Sequence, residues 1–247
     1  MFVRLSYLLL LFCCTSIANE NNIKQHYQFA SIEYLFEQEV GRVVLPQIYL
    51  QLGIDIDITP LPGNRAQYVV NSGSFDGEIM RIWSYGDENS TSLRVPTPYY
   101  YLETMAFVRT DSGIKITQAE DLKQFRVGRV RGVKHTNNIT VGLSDIYDLN
   151  STQLMFELLM QKKIDVALTN TLDGQVIIKR NKFDHIEPMK KPLAKLALYH
   201  YIHKKNKVLI PLVDQQIRDL SETDELKSLI NQAENYVITQ HMSASHN

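Results

Sequence analysis

The sequence predicts an α/β fold built as two similar lobes, and three observations predict it. Residues 27–32, 54–59 and 77–82 read as short strands separated by helical stretches, the βαβαβ order of an open α/β sheet. After Arg109 the same device returns: a helix, an Asp, an apolar strand and a polar residue at its end, as in Lys163-Ile164-Asp165-Val166-Ala167-Leu168-Thr169-Asn170. Two further strand-like runs, residues 104–109 and 193–203, read as the segments that leave one half and come back to it. Two halves joined by crossing strands imply a hinge, and a hinge implies a ligand that closes it.

The chain of 247 residues fits one or two domains, and 44% hydrophobic residues suffice for sizeable cores. Lys plus Arg number 26 against 27 Asp plus Glu, a formal net charge of -1, so no global field favours nucleic acid or an anionic membrane. The first residues are a leader: Arg4 supplies one positive charge, residues 5–14 are apolar but short, and Ser16-Ile17-Ala18 offers small residues for cleavage after Ala18. Cys13 and Cys14 both fall inside it, so the exported product is expected to hold no disulfide. A lipoprotein would modify one of these cysteines, but Phe12 or Cys13 stands where a small residue is needed.

In the first half, Glu33 and Tyr34 follow the first strand. Residues 35–53 form a helix with a possible kink at Pro46 and an end at Gly53, residues 60–65 turn, and residues 65–72 are helical. The stretch around residues 69–110 organises the chain: a helix stopped at Gly73, a strand entered through Ser74-Phe75-Asp76-Gly77, a polar loop, then Pro96, Pro98 and three tyrosines before the crossing strand. Polar groups at the ends of such strands point into the crevice where α/β sheets bind small ligands. In the second half, Thr117 with Glu120 reads as a capping box, residues 125–130 as a strand, and Arg131, Gly132, His135 and Thr136 as a loop. Residues 151–162 are helical, and residues 207–239 form two amphipathic helices parted near residues 222–224.

These motifs, in this order, resemble those of the family 3 extracellular solute-binding proteins, periplasmic binding proteins of type II topology best known for polar amino acids. Ser74-Phe75-Asp76-Gly77, Val95-Pro96-Thr97-Pro98-Tyr99-Tyr100, Glu120-Asp121-Leu122, Val127-Gly128-Arg129-Val130-Arg131-Gly132, Lys163 to Leu168 and Leu198 to Asn206 carry the likeness. It implies a Venus flytrap: a leader over residues 1–18, lobe 1 over 19–108, lobe 2 over 109–197, and a return strand and helices over 198–247 packing on lobe 1. It further implies a monomer in the periplasm that captures an amino acid or related polar solute and hands it to an ABC-type permease in the inner membrane. The alternatives are a sensory protein that signals to a membrane receptor and, less favoured, a periplasmic dehydratase-like enzyme using Glu33 or Glu78 as acid or base.

Family members hold the ligand carboxylate with an arginine and the ammonium with an aspartate, usually under an aromatic lid. Here the aspartate's position falls on Asn170, which is uncharged, and the Thr-rich approach to the arginine is replaced by Met80-Arg81-Ile82-Trp83. Arg81 has two readings: a bidentate clamp in the cleft, or an ion pair with Glu78. The expected ligand set is Glu33, Tyr34, Arg81, Tyr99, Tyr100, Arg131, Thr136 and Asn170. Asp76 reads as a cap of the turn into its strand and Trp83 as packing. No cofactor is expected, and no metal: His200 and His203 lie three apart on a strand and face opposite sides.

Overall fold

The computed structural model describes residues 23–243. The expected leader, its cleavage after Ala18 and both cysteines lie outside the described residues. In chain order the elements are β1 (His26–Ile32), α1 (Phe36–Gln51), β2 (Asp55–Leu61), α2 (Gly63–Asn71), β3 (Gly77–Ile82), α3 (Tyr85–Glu88), β4 (Ser92–Arg94) and β5 (Tyr100–Arg109). A 3-10 turn over Ala119–Gln124 leads to β6 (Val127–Val130), α4 (Lys134–Ile139), β7 (Ile146–Leu149), α5 (Thr152–Met160), β8 (Val166–Asn170) and α6 (Thr171–Asn181). Then come β9 (Ile186–Pro188), β10 (Ala194–His203), α7 (Leu209–Glu222) and α8 (Glu225–Ser243).

The strands form one continuous, curled array in the order β2-β1-β3-β10-β5-β8-β6-β7, with β4 beside β10 and β9 beside β5. Strands β1, β2 and β3 are parallel, as are β6, β7 and β8, while β5 and β10 run antiparallel to each other and to the strand each meets. Strand β5 therefore leaves lobe 1 at the end where β1 and β3 finish, and enters lobe 2 at the end where β6 and β8 finish. Both sets of carboxyl ends face the middle of the β5–β10 ribbon, where Thr104 pairs with Ala194 and Tyr100 with Leu198.

Each lobe has its own core, and β5 serves both. Tyr100 packs with Phe29, Val44, Ile48, Ile79, Leu198 and the apolar faces of α7 and α8 in the first core. Five residues later, Met105 and Phe107 face α5 in the second, while Ala106 and Val108 line a third cluster with Leu122 and Val127 on the opposite side of the sheet. This is the period-two alternation of a strand buried on both faces. Besides the ribbon, α6 joins the lobes, its Leu172 and Val176 reaching the lobe 1 core.

Several local expectations are corrected. Pro60 and Leu61 belong to β2, which pairs only with β1, so the missing N–H of Pro60 lies on a free edge. The capping box sits one residue on from Thr117, between Gln118 and Asp121, with the Thr117 N–H and hydroxyl also donating to the Asp121 carboxylate. Residues 134–139, taken as loop, are the single helical turn and a half of α4, and α3, β4, β7, α6 and β9 are elements too short or too polar to show a period.

Asp76 does more than cap a turn. Buried at the entry to β3, it accepts from the Gln28 N–H at 3.0 Å and the Asn206 Nδ2 at 2.8 Å, and pairs with Lys24 at 3.3 Å and Lys205 at 3.1 Å. One carboxylate thus ties the start of β1, β3 and the segment after β10. Nearby, His200 is fully buried, its Nδ1–H donating to the Glu78 carbonyl at 2.9 Å and its Nε2 accepting from the Tyr49 hydroxyl at 2.8 Å. Burial pushes this imidazole down to about 4 from 6.5. A depressed folded value means that the neutral form is preferred on folding, so its contribution is complete above pH 6.5 and is lost as pH falls through about 4. Urea titrations of the wild type are expected to show stability falling across that interval, and His200→Gln should flatten the slope. An unchanged slope in the variant would assign the pH dependence to other groups.

Candidate functional site

The candidate residues stand at or just past the carboxyl ends of β1, β3, β6 and β8. After β1, the half-buried Glu33 donates its N–H to the Leu61 carbonyl at 3.0 Å. Tyr34 follows with φ 61 and is 88% exposed. An aromatic side chain in the left-handed region, displayed to solvent, is a strained conformation of the kind that collects at ligand sites.

After β3, Arg81 adopts the ion pair: its Nε–H donates to Glu78 Oε2 at 2.5 Å and its Nη2 to the Gly63 carbonyl at 3.1 Å. Glu78, buried, also accepts from the Tyr85 hydroxyl, and the Arg81 guanidinium lies 4.7 Å from the Tyr85 ring centre. These bonds use the Nε–H and one Nη2 hydrogen and leave Nη1 unengaged by them. Next to it the Arg94 guanidinium lies 3.0 Å from the Trp83 ring centre, and Tyr199 meets Trp83 edge-on at 5.6 Å. Trp83 nevertheless remains 53% exposed, so it is a partly open platform and not a core residue.

In lobe 2, Arg131 is exposed, its Nη2 3.4 Å from the Asp148 carbonyl. Asn170 caps α6, its Oδ1 accepting from the Asp173 N–H at 2.6 Å, which leaves the amide Nδ2 as a donor. Three expected contacts are corrected. Thr136 is fully buried in α4, its hydroxyl donating to the Val133 carbonyl at 3.0 Å, because the helical turn folds it inward. Tyr99 is a core residue whose hydroxyl donates to the Ile79 carbonyl at 2.8 Å, and a Cβ at Gly41 would stand 3.1 Å from that hydroxyl. Tyr100 is also buried, donating to Glu234 at 2.8 Å, and it is Tyr101, 49% exposed, that the ribbon presents.

A cavity of about 390 Å³ lies beside the ribbon, between the first turns of α1 and α6 and the face of α8. It holds Tyr100, Tyr101 and Asn170, and three carboxylates that the sequence did not single out: Glu37, Glu103 and Glu234. Glu103 pairs with Lys195 at 2.7 Å and accepts from Thr171 at 3.1 Å. Burial, then the Asp173 charge, push Glu37 up to about 7 against the pull of its own N–H, and burial likewise raises Glu234. In sequence, Glu37 is indistinguishable from any acid in a helix's first turn, and Glu234 from one on an exposed face. Among the described residues no group of three or more His, Cys, Asp or Glu side chains is placed to hold a metal ion, and no helix is long and apolar enough to cross a membrane.

The fold is that of the two-lobed periplasmic binding proteins. The unliganded, open L-cystine solute receptor of Neisseria gonorrhoeae superposes with a TM-score of 0.68 at 16% identity, over 86% of this chain and 94% of the receptor. An ancestral cationic amino-acid solute-binding protein gives 0.65 at 14% identity, over 84% and 95% of the two chains. A histidine kinase sensor domain with similarity to periplasmic binding proteins gives 0.57 at 17%, over 84% and 96%. By sequence, the chain is 27% identical over 191 residues to an uncharacterized protein of Shewanella oneidensis, covering 74% of this chain and 72% of that one. No family model matches the chain.

Proposed function

We propose that the protein is an exported, periplasmic solute-binding protein that captures a small polar solute, an amino acid or a related compound, between lobes divided near residues 108/109 and 197/198. The observation that carries this reading is the meeting of four strand ends, two from each lobe, at the middle of a two-stranded ribbon. Glu33, Tyr34, Arg81, Arg131 and Asn170 stand on those ends and supply the contacts. Arg81 offers Nη1 to an anionic group, and Asn170 offers Nδ2, a neutral donor, where a family member would place an aspartate. Delivery to an ABC-type permease is the leading use of such capture, and similarity to solute receptors supports it. Presentation of the closed form to a membrane receptor is the second reading, favoured by the likeness to a kinase sensor domain.

Trp83 gives a direct test, because it is the single tryptophan of the chain and sits on the loop after β3. Screening amino acids, polyamines, organic acids and small sugars by its fluorescence and by thermal shift is expected to find a solute that moves both. At one hundred times its Kd that solute should add about 2.7 kcal/mol to the unfolding free energy. Flat responses across the whole panel would remove the solute-binding reading. Co-purification of a permease or of a receptor with the closed form separates the two uses.

A further inference from the structure

The cavity beside the ribbon shares only Asn170 with the cleft residues proposed above, and its charges are unbalanced. Of its carboxylates, Glu103 is neutralised by Lys195, and Lys227 is exposed at the rim, where water screens it. Glu234 has a neutral partner, the Tyr100 hydroxyl. Glu37 accepts from no other side chain and pairs with no cation among the described residues, although it is half-buried on the cavity wall and Asp173 lies near enough to disfavour its charge. A first-turn acid can offset the helix dipole from an exposed position, so that role needs no burial. A half-buried carboxylate that faces a ligand-sized cavity without a cation is a partner for one.

We propose that this cavity is a second binding site, for a small organic cation bearing a primary ammonium group, which Glu37 and Glu234 hold from lobe 1 while Asn170 and Gln175 close over it from lobe 2. Tyr101 and Ile230 supply an apolar wall for the alkyl part, and 390 Å³ suits a molecule of a few carbons. Because the walls come from both lobes, an occupant bridges them and favours one setting of the hinge. Glu37, partly protonated near neutral pH, must release its proton when an ammonium group arrives.

The experiment is calorimetry of the leaderless chain with diaminobutane at pH 7, run in two buffers of different ionisation heat, with butanediol and succinate as neutral and anionic counterparts. Expected are binding of the diamine alone, an apparent heat that differs between buffers in the sense of proton release, and at least tenfold weaker binding in Glu37→Gln and Glu234→Gln. Proton release should vanish in Glu37→Gln and persist in Glu234→Gln. Circular dichroism and melting of both variants establish that they fold, their replacements being nearly isosteric. Absence of diamine binding at millimolar concentration, undiminished binding by folded Glu37→Gln, or equal binding of succinate would each overturn the proposal.

Discussion

Asp76→Ala is expected to lower the unfolding free energy by about 3 kcal/mol, since it removes the shared acceptor of a buried amide, a backbone N–H and two ammonium groups. The loss is larger than that of an exposed ion pair because Asn206 and the Asp76 carboxylate are themselves buried. Although desolvation opposes it, the hydrogen bonds from Gln28, Asn206 and Lys205 and the Lys205 charge hold the Asp76 pKa below its ordinary 3.8. A depressed carboxylate stabilises the fold fully above pH 3.8, and that contribution disappears as pH falls through the lower folded value. Urea unfolding of wild type and Asp76→Asn between pH 5 and pH 2 should therefore converge at the acid end, a window set by the downward shift. Parallel curves with a constant offset would show that Asp76 stays protonated or charged in both states, and the ionic account would fail.

Gly77→Ala is expected to be at least as damaging, about 3 kcal/mol or more. A Cβ at this position would stand 2.1 Å from the Tyr201 carbonyl oxygen and 3.0 Å from the Ile202 Cα, both backbone atoms of the paired strand. No rotamer can relieve such a contact; β3 and β10 must separate at the point where β10 re-enters lobe 1. Gly128→Ala is the control, because its Cβ would meet the Ile164 Cδ1 at 2.5 Å and the Met155 Cγ at 3.1 Å, side-chain atoms that can move. Equal midpoints for the two variants in denaturant would contradict this ranking.

Asp76→Ala and Gly77→Ala bear on function as well as stability. Both weaken the attachment of β10 to lobe 1, and β10 is half of the ribbon on which the lobes are hung. Mild destabilisation there should loosen the setting of the hinge before it unfolds either core.

The order of strands and helices was legible because each long element carries its own period. The alternation of residues 54–59 marks β2 against water on one face, and the apolar faces of residues 207–239 mark α7 and α8. The short elements were not, since four residues of α3 or three of β4 hold no repeat to detect. The site divides along the same line. Glu33, Tyr34, Arg81, Arg131 and Asn170 were nameable as candidates because they stand in or just past the last residues of strands, the end of an α/β sheet where ligands bind.

What the amino-acid sequence determined by itself is therefore the α/β repeat, the two crossing strands and the residues at strand ends, all set by contacts between near neighbours in the chain. The tertiary structure alone decided which side chains are available. Tyr99 turned inward with its hydroxyl against Gly41 while Tyr101 stayed half exposed, Arg81 met Glu78 in a wall that Tyr85 closes, and Glu37 came within reach of Asp173, 136 positions later in the chain. Burial and long-range charge depend on where distant segments meet, and no local pattern encodes that meeting.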